Sequence, residues 1–240
     1  MSVRRPFSLR LAGLLLGLPW LAAAAPLALT QNFETCVGPA SCGYTVSFVA
    51  EGSAAAVNVR TAANAINTGA NLGFDQFFTS RFLVIGDISG DLSGEPNGQP
   101  GGALTRASFD LGLLAAGSYQ FELGFDYVVD ATQLNNPDRF LVRFETAPGA
   151  AMLADVLFHH TIPRTSPARR CQHSGLFGFS LAQASNVYLS FSLQEFNGNG
   201  SSAAGIDNLR LRQVPEPSGL ALLALACAAL AATRGRARRR

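Results

Sequence analysis

The strongest constraint on this chain is the alternation between Ser118 and Val128. Tyr119, Phe121, Leu123, Phe125 and Tyr127 fall on one side of an extended chain, with Gln120, Glu122, Gly124 and Asp126 on the other. Successive side chains of a strand point to opposite faces, so this run predicts a strand with one buried face. Val187, Leu189, Phe191 and Leu193 repeat the pattern, as do Phe140, Val142 and Phe144. Shorter candidates cover Tyr44–Val49, Val57–Thr61, Arg81–Ile85, Leu104–Leu111, Val156–His160, Leu176–Leu181 and Ile206–Leu211. Turn-forming clusters separate them: Ala116-Gly117-Ser118, Asn135-Asn136-Pro137-Asp138, Ala147-Pro148-Gly149 and Asn197-Gly198-Asn199-Gly200. Many short strands with little helical periodicity predict an all-β fold, an antiparallel β-sandwich. The one helical candidate is Ala54–Ile66, which Val and Asn interrupt.

The ends have a different character. Arg4, Arg5 and Arg10 precede a short apolar stretch, Leu11–Leu21, and the small residues Ala22–Ala25. That order predicts a secretory signal peptide over residues 1–24, removed by signal peptidase. An uncleaved N-terminal anchor is the alternative. At the other end, Val214-Pro215-Glu216-Pro217 leads into the uncharged stretch Gly219–Ala232 and a cluster of five arginines ending at Arg240. At ~1.5 Å per residue the apolar stretch spans roughly 21 Å, short of a ~30 Å hydrocarbon core without help from its flanks. The arginines favour the cytoplasmic side. Everything between the two ends is therefore expected outside the cytoplasm, as one exported domain over residues 25–213.

Removing the ends changes the charge. The whole chain carries +2, but residues 25–213 hold 10 Arg against 15 Asp and Glu, and the chain has no lysine. The exported part is mildly acidic, with no basic patch for nucleic acid. Cys36 and Cys42 flank Val37-Gly38-Pro39-Ala40-Ser41, whose glycine and proline favour a turn. In an oxidising compartment a local disulfide is expected, with a link from Cys171 to either cysteine as the alternative.

The tail, from Val214-Pro215-Glu216-Pro217 through the apolar stretch to the arginines, resembles the PEP-CTERM sorting signal of Gram-negative bacteria. The resemblance covers residues 214–240 alone. It implies recognition by an exosortase, transient association with the inner membrane, and delivery to the cell surface or extracellular matrix of a species that makes exopolysaccharide.

A looser resemblance concerns the middle. Asn32-Phe33-Glu34, Leu114-Ala115-Ala116-Gly117-Ser118-Tyr119 and Gly205-Ile206-Asp207-Asn208-Leu209-Arg210-Leu211 look like segments of carbohydrate-binding-module-like jelly rolls. The resemblance implies a jelly-roll sandwich whose first and last strands lie together, with a structural calcium bridging Glu34 and Asp207. Asp207 shares its alternation phase with Leu209 and Leu211, so a regular strand would point it into the core. A buried carboxylate needs hydrogen bonds, a cation or a proton. A bulge at Asp207-Asn208 would instead turn it outward.

Chemistry is sparse. The irregular stretch from Gly86 to Gly102 carries Asp87, Asp91 and Glu95, hard oxygen ligands suited to a ligand-contacting or calcium-binding loop, though not at EF-hand spacing. Asp155, His159, Cys171 and His173 form a second conceivable site. No nucleophile elbow, phosphate loop or dinucleotide fingerprint is present. Paired carboxylates for glycoside hydrolysis remain open, because their spacing lies in space rather than sequence. Trp20 lies in the signal peptide, leaving Tyr44, Tyr127 and Tyr188 as possible sugar platforms. The alternation assigns Tyr44 and Tyr127 to the core and Tyr188 to the polar face. The expected function is a non-catalytic binding or structural module linked to exopolysaccharide or biofilm. A secreted polysaccharide-acting hydrolase and an unprocessed membrane-anchored protein are the alternatives.

Overall fold

Among the described residues, β-branched and aromatic side chains on alternating positions build eleven strands, which pair into two antiparallel sheets. The computed structural model describes residues 26–49, 58–60, 74, 77–86, 103–130, 139–160, 170–195 and 203–215. In chain order the strands are β1 (Ala28–Gln31), β2 (Tyr44–Val49), β3 (Asn58–Arg60), β4 (Phe82–Gly86), β5 (Ala103–Leu114), β6 (Gly117–Asp130), β7 (Arg139–Glu145), β8 (Met152–His160), β9 (Cys171–Leu181), β10 (Ser185–Glu195) and β11 (Ala203–Val214). Among the described residues a short helix, α1 (Pro39–Cys42), sits between β1 and β2. The six-stranded sheet runs β3-β4-β11-β6-β9, with β1 also on β11, and the five-stranded sheet runs β2-β5-β10-β7-β8. The fold is an all-β antiparallel sandwich.

The core lies between the sheets. Phe121, Leu123 and Phe125 of β6 face Phe140, Val142 and Phe144 of β7 and Val187, Leu189, Phe191 and Leu193 of β10, all at most 2% exposed. Phe121 meets Phe144 with ring centroids 5.3 Å apart, and Phe125 meets Phe191 edge-on at 5.2 Å, so aromatic contacts join the two sheets. Each such buried ring contributes about 1.5–3 kcal/mol through removal of apolar surface from water. Tyr44 and Tyr127 are buried as the alternation requires. Desolvation pushes the Tyr44 pKa up to about 12.

A second apolar cluster covers part of the outer face of the six-stranded sheet. It joins Phe74, Phe78, Phe82, Val84, Val128 and Ala203. Gly205 makes this layer possible: a Cβ there would come within 2.8 Å of the Phe78 ring and 3.2 Å of Phe74.

Several boundaries differ from expectation. Residues 58–60 are strand β3 paired with β4, as the strand candidate Val57–Thr61 expects, and not part of the overlapping helical candidate Ala54–Ile66; hydrogen bonding to a neighbouring strand overrides the weak local helical pattern. The first strand is Ala28–Gln31, and Asn32-Phe33-Glu34 leads out of it into a turn. β9 begins at Cys171 rather than Leu176, its glycines having hidden the alternation. Cys36 and Cys42 are joined in a disulfide, with Cα atoms 5.1 Å apart. Among the described residues no helix is long and apolar enough to cross a membrane. The signal peptide, the apolar tail with Glu216 and Pro217, and the loop carrying Asp87, Asp91 and Glu95 lie outside the described residues. Val214 ends β11, and Pro215 follows it, exposed.

Candidate binding groove and acidic cluster

Three polar constellations sit on the outer faces of the sandwich. The first is a groove on the six-stranded sheet, made where β1, β11, β6 and β9 lie side by side. Register aligns Thr30, Arg210, Gly124 and Ser174 in one row across these strands. The next row is Ala28, Arg212, Glu122 and Leu176. All but Leu176 line a cavity of about 450 Å³, within the range of small-ligand sites. Gly124 forms its floor by lacking a side chain between Arg210 and Ser174. Arg212 Nη2 donates to Glu122 Oε2 at 2.7 Å. Among the described residues no carboxylate pairs with Arg210, which is exposed. Leu176 is 59% exposed at the end of the second row.

The second constellation is an acidic cluster farther along β11. The regular strand expected here breaks: the register with β6 shifts between Asp207 and Arg210, and Asn208 takes a left-handed φ of 53°. The break falls where the edge partner of β11 changes from β4, opposite Ala203–Ile206, to β1, opposite Leu209–Arg212. Its effect is to reverse the phase, as a bulge does. Asp207 pairs with Asp126 on the outer side, while Leu209 and Leu211 remain in the core. The expectation that Asp207 points coreward with these leucines is thus corrected. The carboxylate is buried all the same, at 6% exposure.

Asp207 Oδ1 accepts the Asn208 backbone N–H at 2.7 Å, and the Asn208 side-chain amide donates to Asp126 Oδ2 at 2.8 Å. Arg170 forms an ion pair with Asp126, donates to the Phe77 carbonyl at 3.2 Å and lies 5.4 Å from the Phe78 ring centroid. It thereby ties the second apolar cluster to the sheet. Burial raises the Asp207 pKa to about 6; the Asn208 N–H and Arg170 oppose this, and the charges of Glu34 and Asp126 add to it. Glu34 is therefore an electrostatic neighbour of Asp207. Among the described residues no group of three or more His, Cys, Asp or Glu side chains is arranged to hold a metal ion.

The third constellation is the outer face of the five-stranded sheet. Arg106, Ser108, Ser190, Ser192 and Glu145 are all at most 7% exposed there. They satisfy one another: Arg106 Nε donates to Ser192 Oγ at 3.0 Å and lies 3.8 Å from Glu145 Oε2, and the Ser108 and Ser190 hydroxyls are 2.9 Å apart. Gly149, at φ 81°, donates its N–H to Glu145 Oε2 at 3.0 Å. A Cβ on Gly149 would stand 2.5 Å from the Arg106 guanidinium. Tyr188 lies on this polar face, half-buried, opposite Asp110 and Glu145.

Of the conceivable site of Asp155, His159, Cys171 and His173, Asp155 stands on β8 and His173 on β9, strands of different sheets, and the His159 side chain lies outside the described residues. Asp155 pairs with Arg143 at 2.6 Å on the outside of the five-stranded sheet. His173 instead packs its ring 5.2 Å from Phe125 and 5.7 Å from Phe177, and burial lowers its pKa.

No protein family and no curated protein matches this sequence. Solved structures show looser similarity. The xylan-binding CBM22-1 domain of Paenibacillus barcinonensis Xyn10C is 14% identical over 80% of this chain and 96% of its own, with a TM-score of 0.39. The K1 cleaved adhesin domain of the Lys-gingipain of Porphyromonas gingivalis W83 is 11% identical over 77% and 96%, with a TM-score of 0.42. An arabinose-bound GH51 α-L-arabinofuranosidase is 11% identical over 79% of this chain but 26% of its own, with a TM-score of 0.47. At these scores none of the three bears on ligand or reaction.

Proposed function

We propose that this chain is an exported, exosortase-sorted surface or matrix protein whose sandwich is a non-catalytic polysaccharide-binding module. The groove on the six-stranded sheet carries the binding reading. It offers two guanidinium groups, a carboxylate and two short hydroxyls along an open channel, a donor and acceptor set suited to vicinal hydroxyls. Leu176 beside it supplies apolar contact for a sugar face.

The hydrolase alternative has one supporting observation, the raised pKa of Asp207 beside Asp126, which a general acid requires. Both carboxylates are buried, however, and Asp126 is held by Arg170 and Asn208. The groove is lined by one carboxylate, Glu122, which Arg212 engages. Glycoside hydrolysis needs two carboxyl groups flanking one bond, so the binding reading is favoured.

Glu34 and Asp207 are the proposed calcium ligands. The fit rests on burial and charge: burial is what chiefly raises the Asp207 pKa, the negative charges of Glu34 and Asp126 add to it, and Arg170 opposes it. Two carboxylates are hard oxygen donors, and backbone carbonyls would complete the shell. A bound ion would supply the missing positive charge and fasten the turn after β1 to β11.

Glycan-array binding by the full-length chain tests the module. Gly124→Val fills the groove floor at little strain, since a Cβ there meets its nearest atom, the His173 carbonyl oxygen, at 3.6 Å. Binding should disappear while the melting temperature holds. Binding that survives would move the site elsewhere, and cleavage of a bound glycan that stops in Glu122→Gln would restore the hydrolase.

A further inference from the structure

We infer that the groove selects an acidic polysaccharide, and that Arg210 is the residue that reads its carboxylate. This rests on the groove being the glycan site. Arg212, Arg210 and Arg170 follow one another along this outer face, and their partners differ. Arg212, at one end, is matched by Glu122 at 2.7 Å. Arg170, at the other, is matched by Asp126. Arg210 lies between them, exposed, with no carboxylate partner among the described residues.

Its row neighbours explain why this matters. Thr30 on one side and Gly124 on the other bring no charge, and Ser174 beyond Gly124 brings a hydroxyl. The arginine therefore borders an open notch, with hydroxyl donors on both sides. A guanidinium presents paired N–H groups that match a carboxylate in bidentate fashion. A neutral sugar would leave that positive charge without a partner. The exported part is acidic, with 15 carboxylates against 10 arginines, so non-specific attraction of polyanions is not expected of the domain as a whole. An anion that binds here must be drawn by the local arrangement.

Titration of the full-length chain with polygalacturonate, with the same polymer after carboxyl reduction, and with dextran sulfate tests the inference. Polygalacturonate should bind, and the reduced polymer should bind at least about tenfold more weakly. Arg210→Gln should lower polygalacturonate affinity to the level of the reduced polymer and leave the reduced polymer unaffected. Arg210→Lys keeps the charge without the fork and should fall between. Arg210 is exposed, so equal melting temperatures are expected for the three proteins. Equal binding of acidic and reduced polymers, unchanged by Arg210→Gln and lost in Gly124→Val, would keep the groove and overturn the acidic class. Binding of dextran sulfate and polygalacturonate alike, indifferent to Arg210→Gln, would show general polyanion attraction and also overturn it. Failure of all three polymers to bind would overturn this inference together with the module reading.

Discussion

The outer faces of the two sheets are both polar, yet they differ in what their polar groups do. On the five-stranded sheet Arg106, Glu145 and the serines Ser108, Ser190 and Ser192 are buried and engage one another. On the six-stranded sheet the groove residues Ala28, Thr30, Glu122, Ser174, Arg210 and Arg212 are exposed, and Arg210 stands without an acidic partner among the described residues. The contrast teaches that polarity of a strand face does not by itself mark a ligand site. A closed, internally satisfied face stabilises or specifies the fold; an open face with an unmatched charge is suited to a partner from outside.

The largest effect is expected where the closed face is broken. Glu145→Ala would leave the Arg106 guanidinium buried without its carboxylate, with side-chain exposures of 9% and 4% in the native pair. Removing one member of a buried pair costs roughly 3–5 kcal/mol. Denaturant unfolding should show a loss of that order, with glycan binding unchanged in the protein that remains folded. A loss below about 1 kcal/mol would mean that this face behaves like an ordinary solvated surface.

A smaller effect should come from the acidic cluster, at the closed end of the otherwise open face. Asp207 titrates near 6 in the folded chain against 3.8 for an unperturbed group. A raised folded-state pKa means that folding favours the protonated carboxyl. In calcium-free buffer its contribution to stability is therefore greatest below pH 4 and is lost as pH rises through 6. The full swing is on the order of 2–3 kcal/mol. Urea unfolding of the wild type and Asp207→Asn should diverge across that window, the variant being the more stable at pH 7. Calcium should remove the divergence by stabilising the wild type alone. Parallel pH profiles that ignore calcium would contradict both the burial-raised pKa of Asp207 and the proposed ion.

The strands were legible because core residues recur at every second position over long runs. In β6, β7 and β10 the residues the alternation names, from Phe121 to Leu193, are all buried, although Asp126, Glu145, Ser190 and Ser192 on the opposite side are buried as well. The phase of Asp207 was not legible. It depends on a bulge centred on Asn208, which appears where β11 exchanges one edge partner for another, a fact of topology rather than of local pattern. The closed face was missed for a related reason. Ser190 and Ser192 fall opposite the apolar set of β10, yet both are buried, and alternation does not report whether an outer face is covered. The groove brings together residues 30, 124, 174 and 210, whose shared row follows from three strand registers that no short motif encodes. Its one local hint was Gly124, a glycine on the polar side of the best strand.

The measurement that addresses the two faces together is amide chemical-shift mapping of the full-length chain during titration with polygalacturonate. The open-face account predicts saturable shifts at Thr30, Gly124, Ser174 and Arg210, with Arg106, Ser108, Ser190 and Ser192 unmoved. Shifts confined to the latter four would contradict it, placing the ligand on the closed face of the five-stranded sheet.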